Sequence, residues 1–270
     1  VAAHPYRSSG WSRPSVYRDF GFDEVYFEGD FQDREYMRGD EKTGYVTDQC
    51  DYESLIRWYE EKEAGEPLFL FNVTMQNHSA YQMAWTNLPR EVWLTGALEG
   101  RFNTVNQYLS LVYQSDLAFE YLLDYFSQVD RPVMLVFVGD HLPSLNLSDG
   151  VSLYTHLGYS PTEEAADWDP ETLENILSTD YLIWTNYEAQ AAPDRMESCT
   201  FLGLHTLQRA GIPLNQYFSW LDREVASHML LSRRTLFVDQ DGKGTYSPSQ
   251  EDLAILEQYT AVERNLLYRR

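Results

Sequence analysis

The sequence is short of three things: cysteine, positive charge and long apolar runs. Its 270 residues hold only Cys50 and Cys199, which form neither a metal-ligand nor a redox spacing and cannot build a disulfide framework. Lys and Arg number 20 against 42 Asp and Glu, a formal net charge of −22. A nucleic-acid backbone would be repelled over most of such a surface, so no nucleic-acid partner is expected, and the acidity is read as serving solubility. No stretch approaches the ~20 apolar residues of a membrane span, and the opening "VAAHPYRSSG" lacks the charged and apolar parts of a signal peptide. The chain as given is expected to behave as a soluble domain.

What is present is a core's worth of apolar residues, 43% of the chain, with 15% aromatic, enough for one substantial domain. Short apolar or β-branched runs alternate with helical patterns. The runs are "DEVYF" (23–27), "LFLFNVTM" (68–75), "PVMLVFVGD" (132–140), "YLIWTN" (181–186) and "TLFVD" (235–239). This order predicts an α/β fold with a mostly parallel central sheet flanked by helices. The third run is apolar on both faces, as in a central strand covered on both sides. Helices are expected in "TDQCDYESLIRWYEEKEAG", "NTVNQYLSLVYQSDLAFEYLLDYFSQ", "CTFLGLHTLQRAG" and "SQEDLAILEQYTAVERNLLY", the last capped by Ser249. Segments 28–46 and 144–172 read as irregular surface.

In open α/β sheets functional groups collect beyond the carboxyl ends of strands. Two runs end that way: "LFLFNVTMQNHSAY" reaches His78, and "VMLVFVGDHLPS" reaches Asp140 and His141. A carboxylate and an imidazole are oxygen and nitrogen ligands suited to Zn, Mn or Mg, and Gly139 permits the sharp turn that lets neighbours share an ion. The tripeptide alone equally fits a capping Asp beside a surface His. In "HPYRSSGWSR", Arg13 has the planar fork that recognises phosphate or sulfate, and Trp11 offers an apolar face to a small polyol; both also fit a packed indole beside a solvated cation. "DQDGKGTYSPSQE" begins like a calcium loop, but Lys243 stands where an oxygen ligand belongs and Gln250 replaces the closing Glu, so a surface turn is expected. His156, His205 and His228 have no partner spacing.

Taken in order, these motifs resemble the extracellular catalytic domain of lipoteichoic-acid-synthase-type phosphoglycerol transferases, in the sulfatase branch of the alkaline phosphatase superfamily. "HPYRSSGWSRPSVYRDFGFDEVYF", "LFLFNVTMQNHSAY", "YLSLVYQSDLAFEYLLDYF", "VFVGDHLPSLN", "DYLIWTNYE" and the tail "EQYTAVERNLLYRR" carry the resemblance almost end to end. It implies that Asp140 and His141 bind a divalent metal, usually Mn, with Zn, Mg or Ca as alternatives. It implies that His4, Trp11, Arg13 and His78 surround a phosphoglycerol head group, His78 in the catalytic pocket.

The family mechanism also needs a Thr nucleophile at a helix start and a Glu metal ligand, and neither is assigned in this chain. The expectation is therefore one partial catalytic domain over 1–270, with its core at about 1–230 and a closing strand and helix at about 233–270. It lacks the N-terminal strand and nucleophile helix and is inactive alone, the parent being anchored at the extracytoplasmic face of a bacterial membrane. The implied substrate is an anionic lipid or a phosphate or sulfate ester. A sulfatase of the same superfamily and a non-catalytic glycan- or envelope-binding domain are the competing readings.

Overall fold

A computed structural model describes residues 1–81, 85–145, 150–189, 196–233 and 236–268. Asn146 of the metal-type motif, Thr235 of the "TLFVD" run and the last two residues of the closing helix motif lie outside the described residues. The chain divides into two compact units, 1–129 with 143–150, and 130–142 with 151–270.

In chain order the first unit contains β1 (Ala2–His4), α1 (Arg13–Phe20), β2 (Val25–Phe27), β3 (Tyr36–Met37), β4 (Tyr45–Val46), α2 (Asp48–Glu61), β5 (Phe71–Asn72) and α3 (Asn103–Ser127). β1 lies between β2 and β5 and is parallel to both, with Ala2 opposite Val25 and Phe71. Its three residues have no exposed surface. The two alanines at the centre of the sheet let neighbouring elements approach closely.

α2 begins at Thr47, whose hydroxyl accepts from the Cys50 N–H, and carries Asp48 and Asp51 in its first turn, where carboxylates suit the helix dipole. It packs on α3 through Tyr52 against Phe119 and Tyr59 against Phe126. Its Trp58 stacks on Tyr26 of β2 with ring centroids 4.2 Å apart. The segment read as irregular at 28–46 contains the antiparallel pair β3 and β4.

The second unit contains β6 (Met134–Val138), α4 (Leu153–His156), α5 (Pro170–Leu177), β7 (Tyr181–Thr185), α6 (Cys199–Arg209), α7 (Gln216–Trp220), β8 (Met229–Arg233), β9 (Leu236–Asp239), β10 (Gly244–Thr245) and α8 (Gln250–Tyr268). β8, β9 and β10 form an antiparallel sheet, and Phe201, Leu204, Leu221, Val225, Met229 and Phe237 make this unit's core. Ser249 caps α8 as expected: its hydroxyl accepts from the Asp252 N–H while the Asp252 carboxylate accepts from the Ser249 N–H.

The fold is α/β, with a parallel three-stranded sheet flanked by helices. The strand read as central and covered departs from that picture. β6 pairs antiparallel with β7, and among the described residues it has no second strand partner. Val136, Phe137 and Val138 are 37–45% exposed. An apolar run reports how strongly a strand resists water, but carries no information on the direction or number of its partners.

Candidate functional site

β1 ends in His4, and the loop that follows returns an indole over it. The His4 Nδ1–H donates to the Val73 carbonyl at 2.7 Å, which leaves Nε2 buried and, among the described residues, without a hydrogen-bond partner. Burial is the main reason its pKa falls to about 4; the charges of Arg13 and His78 push the same way, and the Val73 bond opposes them. His4 is therefore a neutral ring at physiological pH.

The loop from β1 to α1 closes through Trp11 (φ 52°, ψ 24°) and Ser12 (φ 55°, ψ 23°), two successive non-glycine residues in the left-handed region. That conformation costs roughly 1–2 kcal/mol per residue and persists only where surrounding contacts impose it. The contacts are on hand. Trp11 meets His4 edge-on at 5.7 Å and His78 at 5.5 Å between ring centroids, and the Arg13 guanidinium lies 5.3 Å from the indole centre. Arg13 Nη1 donates to the buried Tyr17 hydroxyl at 2.8 Å. The indole remains 53% exposed, so one apolar surface is open to a ligand.

His78 arrives from the other direction, six residues beyond β5, with its N–H donating to the Met75 carbonyl and its Nδ1–H donating to the Ser79 carbonyl at 2.7 Å. The structure thus gathers His4, Trp11, Arg13 and His78, spread over 75 positions of sequence, at the carboxyl ends of β1 and β5. A groove of about 670 Å³ in the same unit, lined in part by Phe20, Phe22, Trp58 and Phe69, carries none of these groups.

Two members of the cluster were not foreseen. Tyr6 touches His4 and Trp11 at 6.0 and 5.8 Å, and Tyr45 of β4 touches Tyr6 and His78 at 5.8 and 6.1 Å. Tyr6 had a signal, since residues two apart at a strand end share a face. Tyr45 had none, because only the β3–β4 pairing brings it there.

Asp140 and His141 follow β6 in the second unit. Gly139 fits there because a Cβ would stand 3.1 Å from the Thr179 side chain, whose hydroxyl donates to the Gly139 carbonyl at 2.6 Å. Both side chains are exposed, and Asp140 Oδ2 lies 3.6 Å from His141 Nε2. The His141 Nδ1–H donates to the Leu142 carbonyl, which leaves Nε2 as the ring nitrogen available to ligate an ion. An oxygen and a nitrogen facing the same space fit one edge of a divalent ion's shell. Among the described residues no group of three or more His, Cys, Asp or Glu is placed to complete that shell. The calcium-like segment is a turn: the Asp239 carboxylate accepts from the N–H groups of Asp241 and Lys243.

The sulfatase family model matches residues 1–212. The chain belongs to the sulfatase family. Among curated proteins this sulfatase-family chain is 28% identical over 245 residues to a putative cyclic beta-1,2-glucan modification protein of Rhizobium meliloti (strain 1021), covering 90% of this chain and 36% of the relative. It is 29% identical over 143 residues to the capsular polysaccharide biosynthesis protein RkpI of the same organism, over 53% of this chain and 23% of that one. The chain therefore spans about a third or less of the length of these relatives.

Among solved structures it is similar in fold to the Streptococcus pyogenes phosphoglycerol transferase GacH in complex with sn-glycerol-1-phosphate. The TM-score is 0.69 at 19% identity, over 98% of this chain and 60% of that one. It is also similar to the lipoteichoic acid synthase LtaP from Listeria monocytogenes, with a TM-score of 0.58 at 14% identity over 98% of this chain and 69% of that one. These likenesses show that the chain shares the fold of those proteins, which agrees with the family match. Among the described residues no helix is long and apolar enough to cross a membrane.

Proposed function

We propose that the chain is the head-group-recognising portion of a metal-dependent phosphoglycerol transferase or phosphodiesterase that acts on phosphatidylglycerol-like esters in envelope polymer synthesis. The observation that carries this reading is the meeting of His4, Trp11, Arg13 and His78 in one cluster. Arg13 supplies a planar cation for phosphate oxygens. The open face of Trp11 suits the carbon skeleton of glycerol. His4, neutral and buried, backs the indole from beneath and holds its edge in place. His78 faces the same indole and is the group placed to hold or pass a proton at the ester. A sulfate ester offers the same oxygens to Arg13 but no glycerol skeleton to the open face of Trp11, which favours the phosphoglycerol substrate.

Asp140 and His141 are assigned to a divalent ion, manganese in this reading, which when bound stabilises negative charge on phosphoryl oxygens. The curated relatives, named for glucan modification and capsular polysaccharide biosynthesis, support a carbohydrate polymer as acceptor. The work is placed at the extracytoplasmic face of a bacterial membrane, where a lipid donor and an envelope polymer meet. No residue of the chain is assigned as the nucleophile, so the chain alone is expected to bind the head group without cleaving the ester.

The test combines two assays. Glycerol phosphate release from phosphatidylglycerol with manganese should stay at background, while the chain binds sn-glycerol-1-phosphate. Release by the chain itself would overturn the assignment of its residues. Manganese affinity, read by electron paramagnetic resonance, should fall about tenfold or more in Asp140→Ala, as expected for loss of a ligand; an unchanged affinity would remove Asp140 from the metal site.

A further inference from the structure

His78 stands on a segment that is gripped from two sides. On the inner side Gln76, 1% exposed, accepts from the Asp48 N–H at 2.9 Å and donates to the Ser115 hydroxyl at 3.0 Å and the Leu111 carbonyl at 3.2 Å. Asn77 also donates to the Ser115 hydroxyl, at 2.8 Å. These bonds anchor side chains before His78. They leave the carbonyls of the segment itself to be satisfied from elsewhere.

One side chain satisfies three of them. Arg38 Nη2 donates to the Gln76 carbonyl at 2.9 Å and the His78 carbonyl at 2.6 Å, and Nη1 donates to the Ala80 carbonyl at 3.1 Å. The guanidinium lies 4.8 Å from the Tyr45 ring centre and 5.7 Å from that of Tyr81. Tyr45 in turn touches His78, and the Tyr81 hydroxyl donates to the Asn77 carbonyl at 2.8 Å. Arg38 itself adopts φ 60°, an uncommon conformation for a side chain of this size, with its N–H tied to the Thr86 carbonyl at 3.1 Å.

Among the described residues no carboxylate pairs with this cation, in a chain with 42 of them. It is spent instead on three carbonyls of alternate residues around the imidazole. The planar fork spreads its donors over a fixed span and so bridges carbonyls two residues apart, whereas an ammonium offers its three donors from a single point.

We propose that Arg38 is a positioning residue for His78, fixing the 76–80 segment so that the imidazole meets the Trp11 face in a single orientation. The inference rests on the reading of His78 as part of the head-group pocket. It predicts that charge at position 38 is insufficient and that the fork is needed.

The experiment is a pair of variants, Arg38→Met and Arg38→Lys, compared with His78→Gln in the full chain. Two readouts are taken: the ring ¹H–¹⁵N resonances of His78, assigned by their loss in His78→Gln, and the Kd for sn-glycerol-1-phosphate. Far-ultraviolet circular dichroism and the urea midpoint of each variant monitor folding. Both Arg38 variants should displace or broaden the His78 resonances and raise Kd about tenfold, lysine less than methionine. A folded Arg38→Lys protein with His78 resonances and Kd at their native values would overturn the proposal, and it decides the matter if Arg38→Met does not fold. If His78→Gln leaves Kd unchanged while the Arg38 variants still move the ring, the positioning role stands and the pocket reading of His78 fails.

Discussion

His4 carries the clearest residue-level consequence. Its Nδ1 is committed to Val73 and its ring is buried, so it holds a pKa of about 4. A histidine titration followed by ¹⁵N chemical shift should show one ring that stays neutral from pH 8 to about 5 with Nδ1 protonated. A midpoint near the ordinary 6.5 would contradict the buried geometry.

The opposite case is Asp51, fully enclosed beside Asp48, with one carboxylate oxygen accepting from the Asn72 amide. Desolvation raises its pKa well above the usual value, and raises that of Asp48 to about 6. A carboxyl with a raised folded pKa contributes stability that is present below about pH 4 and is lost as pH rises through the folded value. His4 contributes with the other sign, losing stability as pH falls from about 6.5 to 4. Asp51→Asn should therefore raise the urea midpoint at pH 7.5 and flatten the loss of stability above pH 4. An unchanged slope against pH would show that Asp51 ionises without cost.

At this scale the sequence was most informative where a residue's chemistry is singular. Arg13, Trp11 and the His78 strand end could be named from their types and from the family resemblance. Tyr45, Arg38 and the Asp48–Gln76–Ser115 network could not, because each acts through partners tens of positions away.

Among elements, the turn from β1 into α1 shows strain placed beside the candidate site. Ser12 is exposed, its side chain makes no capping bond, and its φ is 55°. Glycine adopts that conformation freely, so Ser12→Gly should stabilise the fold by about 1 kcal/mol in urea denaturation. Because the strained turn also aims Trp11, the same change should weaken glycerol phosphate binding. A variant that loses stability would show that the turn is not strained.

The helices were legible because each repeats a local signal. α2, α3, α6 and α8 have apolar residues at helical spacing, and α2 and α8 begin at hydroxyl caps. Strands were legible as runs but not as sheets. β6 was recognised over its whole length, yet its antiparallel pairing with β7 and its half-exposed faces depend on a distant partner, with Met134 opposite Thr185 and Val138 opposite Tyr181. The short β3 and β4, two residues each, fall below any periodic signal.

For the whole molecule, the two halves of the candidate chemistry belong to different units. The cluster proposed to read the anion lies in the first, and the Asp140–His141 pair in the second. A net charge of −22 repels an anionic ligand at long range, so recognition depends on local cations set against that field: Arg13 in the cluster and Arg38 behind it.

The most direct test of that account is calorimetric titration of sn-glycerol-1-phosphate into the chain, its Arg13→Ala variant, and the unmodified chain with sulfate as ligand. The account predicts saturable one-to-one binding, weakened by about tenfold or more in Arg13→Ala and far weaker for sulfate. Equal affinity for the variant, or for sulfate and glycerol phosphate alike, would contradict it.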